Sequence, residues 1–227
     1  FYNLDGEEIQ KKMKTVDWDA EAAEKAGYEH FMMKEIHEQP RAVKDTLNSV
    51  LKDGKIDLTD IGLAEEDIRR TSQIYIVACG SAYHVGMVAQ YVIEDLVKIP
   101  VRVELASEFR YRKPILDPNG LVIIISQSGE TADSLAALRE TKAQGIRTLG
   151  IVNVVGSSIA READKVFYTL AGPEISVATT KAYSTQLMAS YILAIQFAKV
   201  KNTITEEQYE NYIAELQAIP EKIEKII

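Results

Sequence analysis

The fold is decided by the stretch Leu121-Val122-Ile123-Ile124-Ile125-Ser126-Gln127-Ser128-Gly129-Glu130-Thr131. Its first five residues are apolar and mostly β-branched, which is the pattern of a strand buried on both faces of a parallel sheet. The run ends abruptly in hydroxyls, an amide and a glycine, and a helical pattern follows over residues 132–142. In an open parallel α/β sheet, ligands bind at the carboxyl ends of strands, where helix N-termini present unpaired N–H groups. Because Ser126, Ser128 and Thr131 add hydroxyl donors at that point, the stretch predicts a site for a phosphate dianion.

Strand and helix patterns alternate on both sides of this stretch. We predict strands at residues 74–78, 101–105, 121–125, 147–152 and 166–170, and helices at residues 84–97, 132–142, 157–162, 180–199 and from 205 to the end. Strands separated by helices imply right-handed βαβ crossovers and therefore a parallel sheet covered on both faces. The predicted fold class is α/β, a doubly wound five-stranded parallel sheet in a flavodoxin-like αβα sandwich, with helical N- and C-terminal extensions.

The N-terminal part of the chain carries a different pattern. An alternation in residues 1–4 leads into Asp5-Gly6, a dipeptide that favours a two-residue hairpin turn. Residues 17–53 are helical and charged in composition, and Pro40 interrupts them. Because proline disfavours helical geometry at the residue before it, we expect Gln39 to leave the helix and the helix to break or restart there.

These patterns divide the chain into four segments. The chain begins at Phe1 rather than at a methionine and ends within a helical pattern, so we expect it to be a piece of a longer protein. The expected segments are a hairpin that closes an upstream domain (1–16), a helical lead-in (17–64), the α/β domain (65–203) and a helix that leads to a further lobe (204–227).

Composition disfavours several classes of function. The 227 residues carry a net charge of −8 and no basic run beyond 109–113, so we expect no nucleic-acid partner. We interpret residues 109–113 as a solvated loop, with a subunit contact as the alternative. No stretch approaches the roughly 20 apolar residues of a membrane span. The single cysteine, Cys79, permits no intrachain disulfide, and we expect a cytoplasmic protein. Without a Cys/His cluster, a GxGxxG fingerprint or a P-loop, we expect no metal site and no cofactor.

Two further loops follow predicted strands and should meet residues 126–131, which we call the second loop. The first loop, residues 79–84, contains Gly80, which lets backbone approach a ligand, and Ser81, for which an ordinary helix cap is the alternative. The second loop does not match a capping box, and its hydroxyls exceed what a helix cap needs. An oxyanion site is therefore the better interpretation of the second loop.

The third loop, residues 172–181, carries hydroxyl and charged groups after the last strand. In isolation, Thr179 and Thr180 are explained as helix caps, and Glu174 and Lys181 as a solvated pair of little energetic consequence. Because all three loops leave the carboxyl ends of strands, we expect them to converge, and a sugar contact from the third loop then becomes credible.

These segments resemble the sugar isomerase (SIS) domain of the glucosamine-6-phosphate synthase family, the glutamine–fructose-6-phosphate aminotransferases. The run Ser126–Thr131 alone indicates only the SIS superfamily. The stretches at 106–112 and Met33-Lys34-Glu35-Ile36-His37-Glu38-Gln39-Pro40 narrow the resemblance to this family, and the latter is similar to the segment that joins its glutaminase and isomerase halves. The resemblance covers nearly the whole chain, and its other matching segments are 78–81 and 174–182.

The resemblance implies a two-step synthase. A glutaminase domain releases ammonia, and an isomerase domain of two SIS lobes converts fructose 6-phosphate and that ammonia into glucosamine 6-phosphate. This chain would hold only the first lobe, with residues 1–16 as the remnant of the glutaminase domain. Its partners would then be the missing glutaminase domain and the second SIS lobe. By similarity, the substrate contacts would be Ser126, Gln127, Ser128 and Thr131 at the phosphate, with Ser81 assisting, and Val177 and Thr179 at the sugar.

The resemblance also limits what the chain can do by itself. The family commonly has a Thr-Ser pair where Ser81 and Ala82 stand, so Ala82 can offer only its backbone to a substrate. The family's general base, ring-opening histidine and C-terminal lysine belong to the second lobe and tail. The resemblance therefore implies that this chain carries no catalytic residue, and we expect it to bind the sugar phosphate without turning it over. We also expect a homodimer that mimics the missing contact between lobes.

Two other functions remain open at this point. One is a sugar-phosphate sensor, such as the effector domain of an SIS-type transcription regulator, although residues 17–53 show no basic recognition helix. The other is a stand-alone phosphosugar isomerase, which needs its own base, and Glu174 is the one candidate for that role in the three loops.

Overall fold

A parallel sheet lies at the centre of the computed structural model, which describes residues 1–3, 5–10 and 24–227. The strands are β1 (Leu51–Lys52), β2 (Lys55–Ile56), β3 (Ile74–Ala78), β4 (Val101–Leu105), β5 (Leu121–Ser126), β6 (Arg147–Val152) and β7 (Lys165–Tyr168). The last five form the parallel sheet in the order β4-β3-β5-β6-β7, and β1 and β2 form a separate antiparallel hairpin. The helices are α1 (Phe31–Asn48), α2 (Glu65–Arg70), α3 (Gly80–Val97), α4 (Ala106–Arg112), α5 (Ala132–Ala143), α6 (Ser158–Glu162), α7 (Lys181–Val200) and α8 (Glu206–Glu224).

The order of the strands reverses between β3 and β5. The chain enters the sheet at β3, adds β4 on one side and then β5 on the other, so β3 and β5 are neighbours with Ala78 paired to Ile125. In doubly wound sheets such a reversal leaves a crevice at the carboxyl ends of the two strands, where ligands bind. The first and second loops both leave the sheet at this crevice. The prediction of a doubly wound five-stranded parallel sheet is confirmed.

Alternate residues of the central strand pack on opposite faces of the sheet. Ile123 and Ile125 of β5 belong to the core shared with α1, α3, α7 and α8, whereas Val122 and Ile124 belong to the core shared with α4, α5 and α6. All six residues of β5 are buried. Because both faces are covered, this strand reads as a continuous apolar run rather than as an alternating one.

Helix α1 continues through Pro40, so the predicted break at this position is wrong. Proline lacks the N–H that would donate to the Ile36 carbonyl four residues earlier. The side-chain amide of Gln39 donates to that carbonyl instead, at 3.1 Å, and its oxygen accepts a hydrogen bond of 2.6 Å from Ser184 on α7. A long-range partner thus stabilises a helix that local sequence rules interrupt.

Two further boundaries differ from the predictions. Residues 109–113, predicted as a solvated loop, belong largely to α4, because Phe109 is completely buried in the core and fixes this segment against the sheet. Helix α3 begins at Gly80 rather than near His84. Gly80 has a φ of +55°, which turns the chain directly from β3 into the helix.

The N-terminal residues reverse direction as predicted, but through a wider turn. Tyr2 and Glu8 form an antiparallel bridge, and the Asn3 N–H donates to the Glu7 carbonyl at 2.9 Å, so the turn exceeds the two residues expected at Asp5-Gly6. Leu4 and residues 17–23, the first part of the segment predicted to be helical, lie outside the described residues. Within the described part of the chain, no helix combines the length and the apolar character needed to cross a membrane.

We expect a measurable coupling between Gln39 and Pro40. Gln39→Ala should lower the free energy of unfolding by about 1–2 kcal/mol, because the Ile36 carbonyl loses its donor and, among the described residues, the Ser184 hydroxyl keeps only the longer contact of 3.4 Å with the Thr180 carbonyl. In a Pro40→Ala background, the alanine N–H can donate to the Ile36 carbonyl, so Gln39→Ala should lower the free energy of unfolding by a smaller amount. Chemical denaturation of the four proteins of this double-mutant cycle measures the coupling. Equal costs in both backgrounds would contradict the role given to Gln39.

Candidate functional site

A polar pocket of about 280 Å³ lies at the carboxyl ends of β3 and β5, where the strand order reverses. It brings together the three loops that the sequence predicts to converge. All eight residues predicted to bind the substrate line this pocket. The lining residues are Cys79, Ser81, Ala82, Ile125, Ser126, Gln127, Ser128, Thr131, Glu174, Ser176, Val177, Thr179 and Gln186.

Hydrogen bonds within the second loop hold its hydroxyl oxygens in place. Ser126 Oγ lies 3.0 Å from Thr131 Oγ1 and accepts a hydrogen bond of 3.1 Å from the Gly129 N–H, and Ser128 Oγ accepts one of 3.2 Å from the Glu130 N–H. A hydroxyl has one proton to donate and can also accept. Within the described residues, one of the two hydroxyl protons of Ser126 and Thr131 is donated in the hydrogen bond between these side chains. Among the same residues, the Ser128 hydroxyl accepts a hydrogen bond and donates none. The loop therefore fixes its oxygens and leaves protons to donate to an anion.

Two helix N-termini meet at the pocket. Helix α5 begins directly after the second loop, and its N-cap, Thr131, makes no capping bond with its side chain among the described residues, since its hydroxyl lies against Ser126. In the first loop the N-cap of α3 is Cys79. The alternative interpretation of Ser81 as an ordinary helix cap is therefore wrong. Ser81 and Ala82 lie instead in the first turn of α3. Unpaired first-turn N–H groups and the positive ends of two helix dipoles favour a bound anion.

Gly129 lets the second loop pack directly against the start of α6. Its φ is +65°, and a Cβ at this position would lie 2.1 Å from Ser157 Oγ. The Ile159 N–H donates to the Gly129 carbonyl at 3.0 Å, and the Ser158 N–H donates to the Glu130 carboxylate at 2.7 Å. The shape of the second loop therefore depends on residues that come almost thirty positions later in the sequence.

Glu174 organises the third loop, and the predicted solvated pair between Glu174 and Lys181 is wrong. The Glu174 carboxylate accepts three hydrogen bonds, from the Thr179 hydroxyl at 3.0 Å, the Thr180 N–H at 2.9 Å and the Ala182 N–H at 3.2 Å. Thr180 is the N-cap of α7 but makes no side-chain cap bond with any described residue. A carboxylate from the loop thus caps α7, where the helix dipole favours negative charge.

Lys181 is buried rather than solvated. Its side chain is 3% exposed, and its Nζ lies 2.7 Å from Glu38 on α1. Lys34 of α1 approaches the same carboxylate at 3.6 Å. Because a buried charge is costly unless it is paired, α1 supplies the carboxylate that allows a lysine at the end of the third loop.

Sequence reasoning missed Gln186, which lines the pocket from the second turn of α7. This residue is 3% exposed. The available signal was an amide within an otherwise apolar helical pattern, because a buried amide is costly unless it finds a hydrogen-bond partner. Cys79 also lines the pocket, and the Ser134 hydroxyl lies 3.9 Å from its sulfur.

A larger groove of about 770 Å³ lies between α1, α3, α7 and α8. Its lining is mainly apolar and includes Val92, Leu187, Met188, Ile195, Leu216 and Ile219. Apolar side chains cannot compensate the loss of water around a doubly charged phosphate. The smaller polar pocket is therefore the candidate for an anionic ligand.

Comparison with known proteins agrees with the fold. The profile of the SIS domain matches residues 67–196, more than half of the chain. The chain belongs to the SIS domain family. The resemblance noted in the sequence is thus confirmed, and the match to the SIS domain begins within α2 and ends within α7.

Two curated relatives of this SIS domain carry the same enzyme name. The glutamine–fructose-6-phosphate aminotransferases [isomerizing] of Clostridium acetobutylicum and Clostridium tetani are 56% and 55% identical to it over 100% of the chain. The chain spans only 38% and 37% of their lengths. The solved C-terminal domain of glucosamine-fructose-6-phosphate aminotransferase from Francisella tularensis is 48% identical, with a TM-score of 0.84, over 87% of this chain and 56% of that one.

We expect Gly129→Ala to destabilise this SIS domain more than Gly145→Ala does. Both glycines have positive φ, +65° and +72°, so an alanine is strained at either position. Of the two, only Gly129 would bring its new Cβ into collision with Ser157, whereas no described atom lies within 4 Å of a Cβ at Gly145. The additional loss for Gly129→Ala should be about 1–3 kcal/mol. Chemical denaturation measures both variants, and equal losses would exclude the steric contact as the reason for this glycine.

We expect the pKa of Glu130 to lie below its ordinary value of 4.5. Hydrogen bonds from the Ser158 side chain and, second, from its backbone N–H stabilise the ionised carboxylate. A carboxyl whose pKa is lowered by folding stabilises the protein above the unfolded-state pKa, and this stability is lost as the pH falls through the folded-state pKa. Glu130→Gln should therefore lose less stability on acidification than the unmodified chain.

A titration followed by NMR measures this pKa directly. Ser158→Ala is the matched variant, since it removes the hydroxyl, keeps the backbone N–H, and should return the pKa of Glu130 part of the way toward 4.5. A pKa at or above 4.5 in the unmodified chain would contradict the hydrogen bond between Glu130 and Ser158.

Proposed function

We propose that this SIS domain binds fructose 6-phosphate and its amination product, glucosamine 6-phosphate. In this proposal it is the first of two lobes in the isomerase half of a cytoplasmic glutamine–fructose-6-phosphate aminotransferase. The observation that carries the proposal is the pocket in which all eight predicted contacts meet at the N-termini of α3 and α5. The 56% identity to an aminotransferase of that name over the whole chain supports the substrate class.

The second loop would hold the phosphate. Ser126, Ser128 and Thr131 offer hydroxyls whose oxygens are already fixed, and Gln127 offers an amide beside them. Ser81 would add a further hydroxyl from the first turn of α3. The lining residues that the structure describes include neither lysine nor arginine. The phosphate charge would therefore be stabilised by hydroxyls, backbone N–H groups and two helix dipoles.

The third loop would contact the sugar. Thr179 presents a hydroxyl at the pocket, and Val177 lines it with a fully exposed side chain. A valine side chain forms no hydrogen bond, so Val177 would act through its backbone groups. Ala82, on the other side of the pocket, has no side-chain donor either and would also contribute backbone alone.

Catalysis would require parts of the enzyme beyond this domain. Glu174 is the one carboxylate among the described residues that line the pocket, and it already accepts three hydrogen bonds that cap α7. This role disfavours Glu174 as the base of a stand-alone isomerase. We propose that the domain binds its ligand without turning it over, and that a glutaminase domain and a second SIS lobe complete the enzyme. By itself the domain would form a homodimer.

Thermal unfolding with added ligands tests the proposal. A ligand that binds only the folded state stabilises it by about 2.7 kcal/mol at one hundred times its dissociation constant. Fructose 6-phosphate should raise the unfolding midpoint in a concentration-dependent way, inorganic phosphate should do so more weakly, and free fructose should have no effect.

Two variants make this test specific. The double substitution Ser126→Ala/Ser128→Ala should abolish the shift, because it removes two of the hydroxyls at the phosphate. Ser72→Ala, at an exposed serine just before the opposite end of β3, should keep the full shift. A chain whose midpoint does not respond to millimolar fructose 6-phosphate would contradict the proposal.

A further inference from the structure

Glu35 links the lead-in helix α1 to the third loop. Its side chain is buried, with 2% of the residue exposed. Its Oε1 accepts hydrogen bonds from the backbone N–H groups of Ile175, at 2.6 Å, and Ser176, at 3.1 Å. These partners lie 140 and 141 positions away in the sequence, so the contact joins two segments that local structure does not connect.

The burial of this carboxylate points to a specific role. A buried carboxylate is costly unless hydrogen bonds compensate the loss of water, and Glu35 Oε2 is buried without a partner among the described residues. An apolar residue at this position of α1 would avoid that cost. The two hydrogen bonds at Oε1 are therefore the feature that accounts for a glutamate here, and both of them go to the third loop.

The third loop needs such an anchor because it has no regular structure of its own. Residues 171–180 form neither helix nor strand. Glu174 fixes the C-terminal end of the loop at Thr179 and Thr180, and Glu35 fixes its middle at Ile175 and Ser176. Ser176 and Thr179, which line the pocket, are held by these two anchors, and the pocket-lining Val177 lies between them.

We propose that Glu35 is a positioning residue for recognition of the sugar. By holding the Ile175–Ser176 backbone, it sets the place of Val177 and Thr179 in the pocket. The second loop, which would bind the phosphate, has no hydrogen bond to Glu35 in the described structure. The inference rests on the proposed function for its ligand, and it adds that the lead-in helix takes part in the binding site.

Amide hydrogen exchange tests the positioning without any ligand. In Glu35→Ala, peptides that cover residues 172–180 should exchange at least tenfold faster, because the N–H groups of Ile175 and Ser176 lose their charged acceptor. Peptides of the second loop should not change. Glu35→Gln keeps an acceptor oxygen at the same distance from the backbone and should restore part of the protection.

The control is Val43→Ala, a core substitution on the same helix. Val43 is 1% exposed and packs in the core that α1 shares with the sheet, without a hydrogen bond to the third loop. This variant should lower the unfolding midpoint and leave exchange in residues 172–180 at the level of the unmodified chain. Equal exchange in Glu35→Ala and Val43→Ala would overturn the positioning role, because Glu35 would then act only on general stability.

Ligand binding by titration calorimetry tests the consequence for recognition. Glu35→Ala should lower the affinity for fructose 6-phosphate by about tenfold and leave the affinity for inorganic phosphate within twofold. The affinity of Glu35→Gln for fructose 6-phosphate should lie between those of Glu35→Ala and the unmodified chain. A parallel loss for both ligands, or none for either, would overturn the inference while the proposed function stands. If the unmodified chain binds neither ligand, the proposed function is wrong, and the role of Glu35 in recognition of the sugar is overturned as well. The exchange measurement still decides whether Glu35 holds the loop.

Discussion

The in-register pairing of β3 with β5 is the constraint on which the site depends. Ala78 lies opposite Ile125, so both strands end at the same level of the sheet, and no other strand separates them. The first and second loops therefore begin side by side, and the helices that follow them start at one point. A helix N-terminus is a weak anion site by itself, and two of them beside a hydroxyl-rich loop make a stronger one.

The sequence predicted the elements whose cause is local or periodic. The apolar run at Leu121–Ile125 indicated a buried strand, and the alternation of strands with helices fixed the parallel topology. The eight predicted site residues meet in one pocket for the same reason, since the carboxyl ends of parallel strands share an edge. Whether these residues contact a substrate stays a prediction.

The errors share a different physical origin, which is a partner far away in the sequence. Pro40 stays helical because Gln39 is held by Ser184, and Lys181 is buried because Glu38 neutralises it. Phe109 turns an apparently solvated segment into a packed helix by entering the core. Composition and spacing describe each residue with its neighbours in the chain, and none of these contacts is between neighbours.

Several of these distant partners lie on α1, which the sequence assigns to a lead-in segment before the α/β domain. Val43 and Leu47 of α1 belong to the same apolar core as the strands of the sheet. Glu35 and Glu38 reach the third loop and the first residue of α7. A helix with these contacts is integral to the packed structure, so removing it would expose core residues and leave Lys181 without its carboxylate partner.

A pocket whose described lining holds neither lysine nor arginine places strict demands on geometry. A lysine can approach a phosphate from many directions, whereas hydroxyl and N–H donors are short-range and must be aimed in advance. The second loop meets this demand because Ser126 and Ser128 accept hydrogen bonds from the backbone, which fixes their oxygens. The Ser128 proton and one of the two hydroxyl protons of Ser126 and Thr131 are left to donate to a ligand. In a chain with a net charge of −8, long-range attraction would not gather an anion. Selectivity for a sugar phosphate would then come from the fixed positions of the hydroxyl and N–H donors. Those positions depend on the contacts that hold the second and third loops in place.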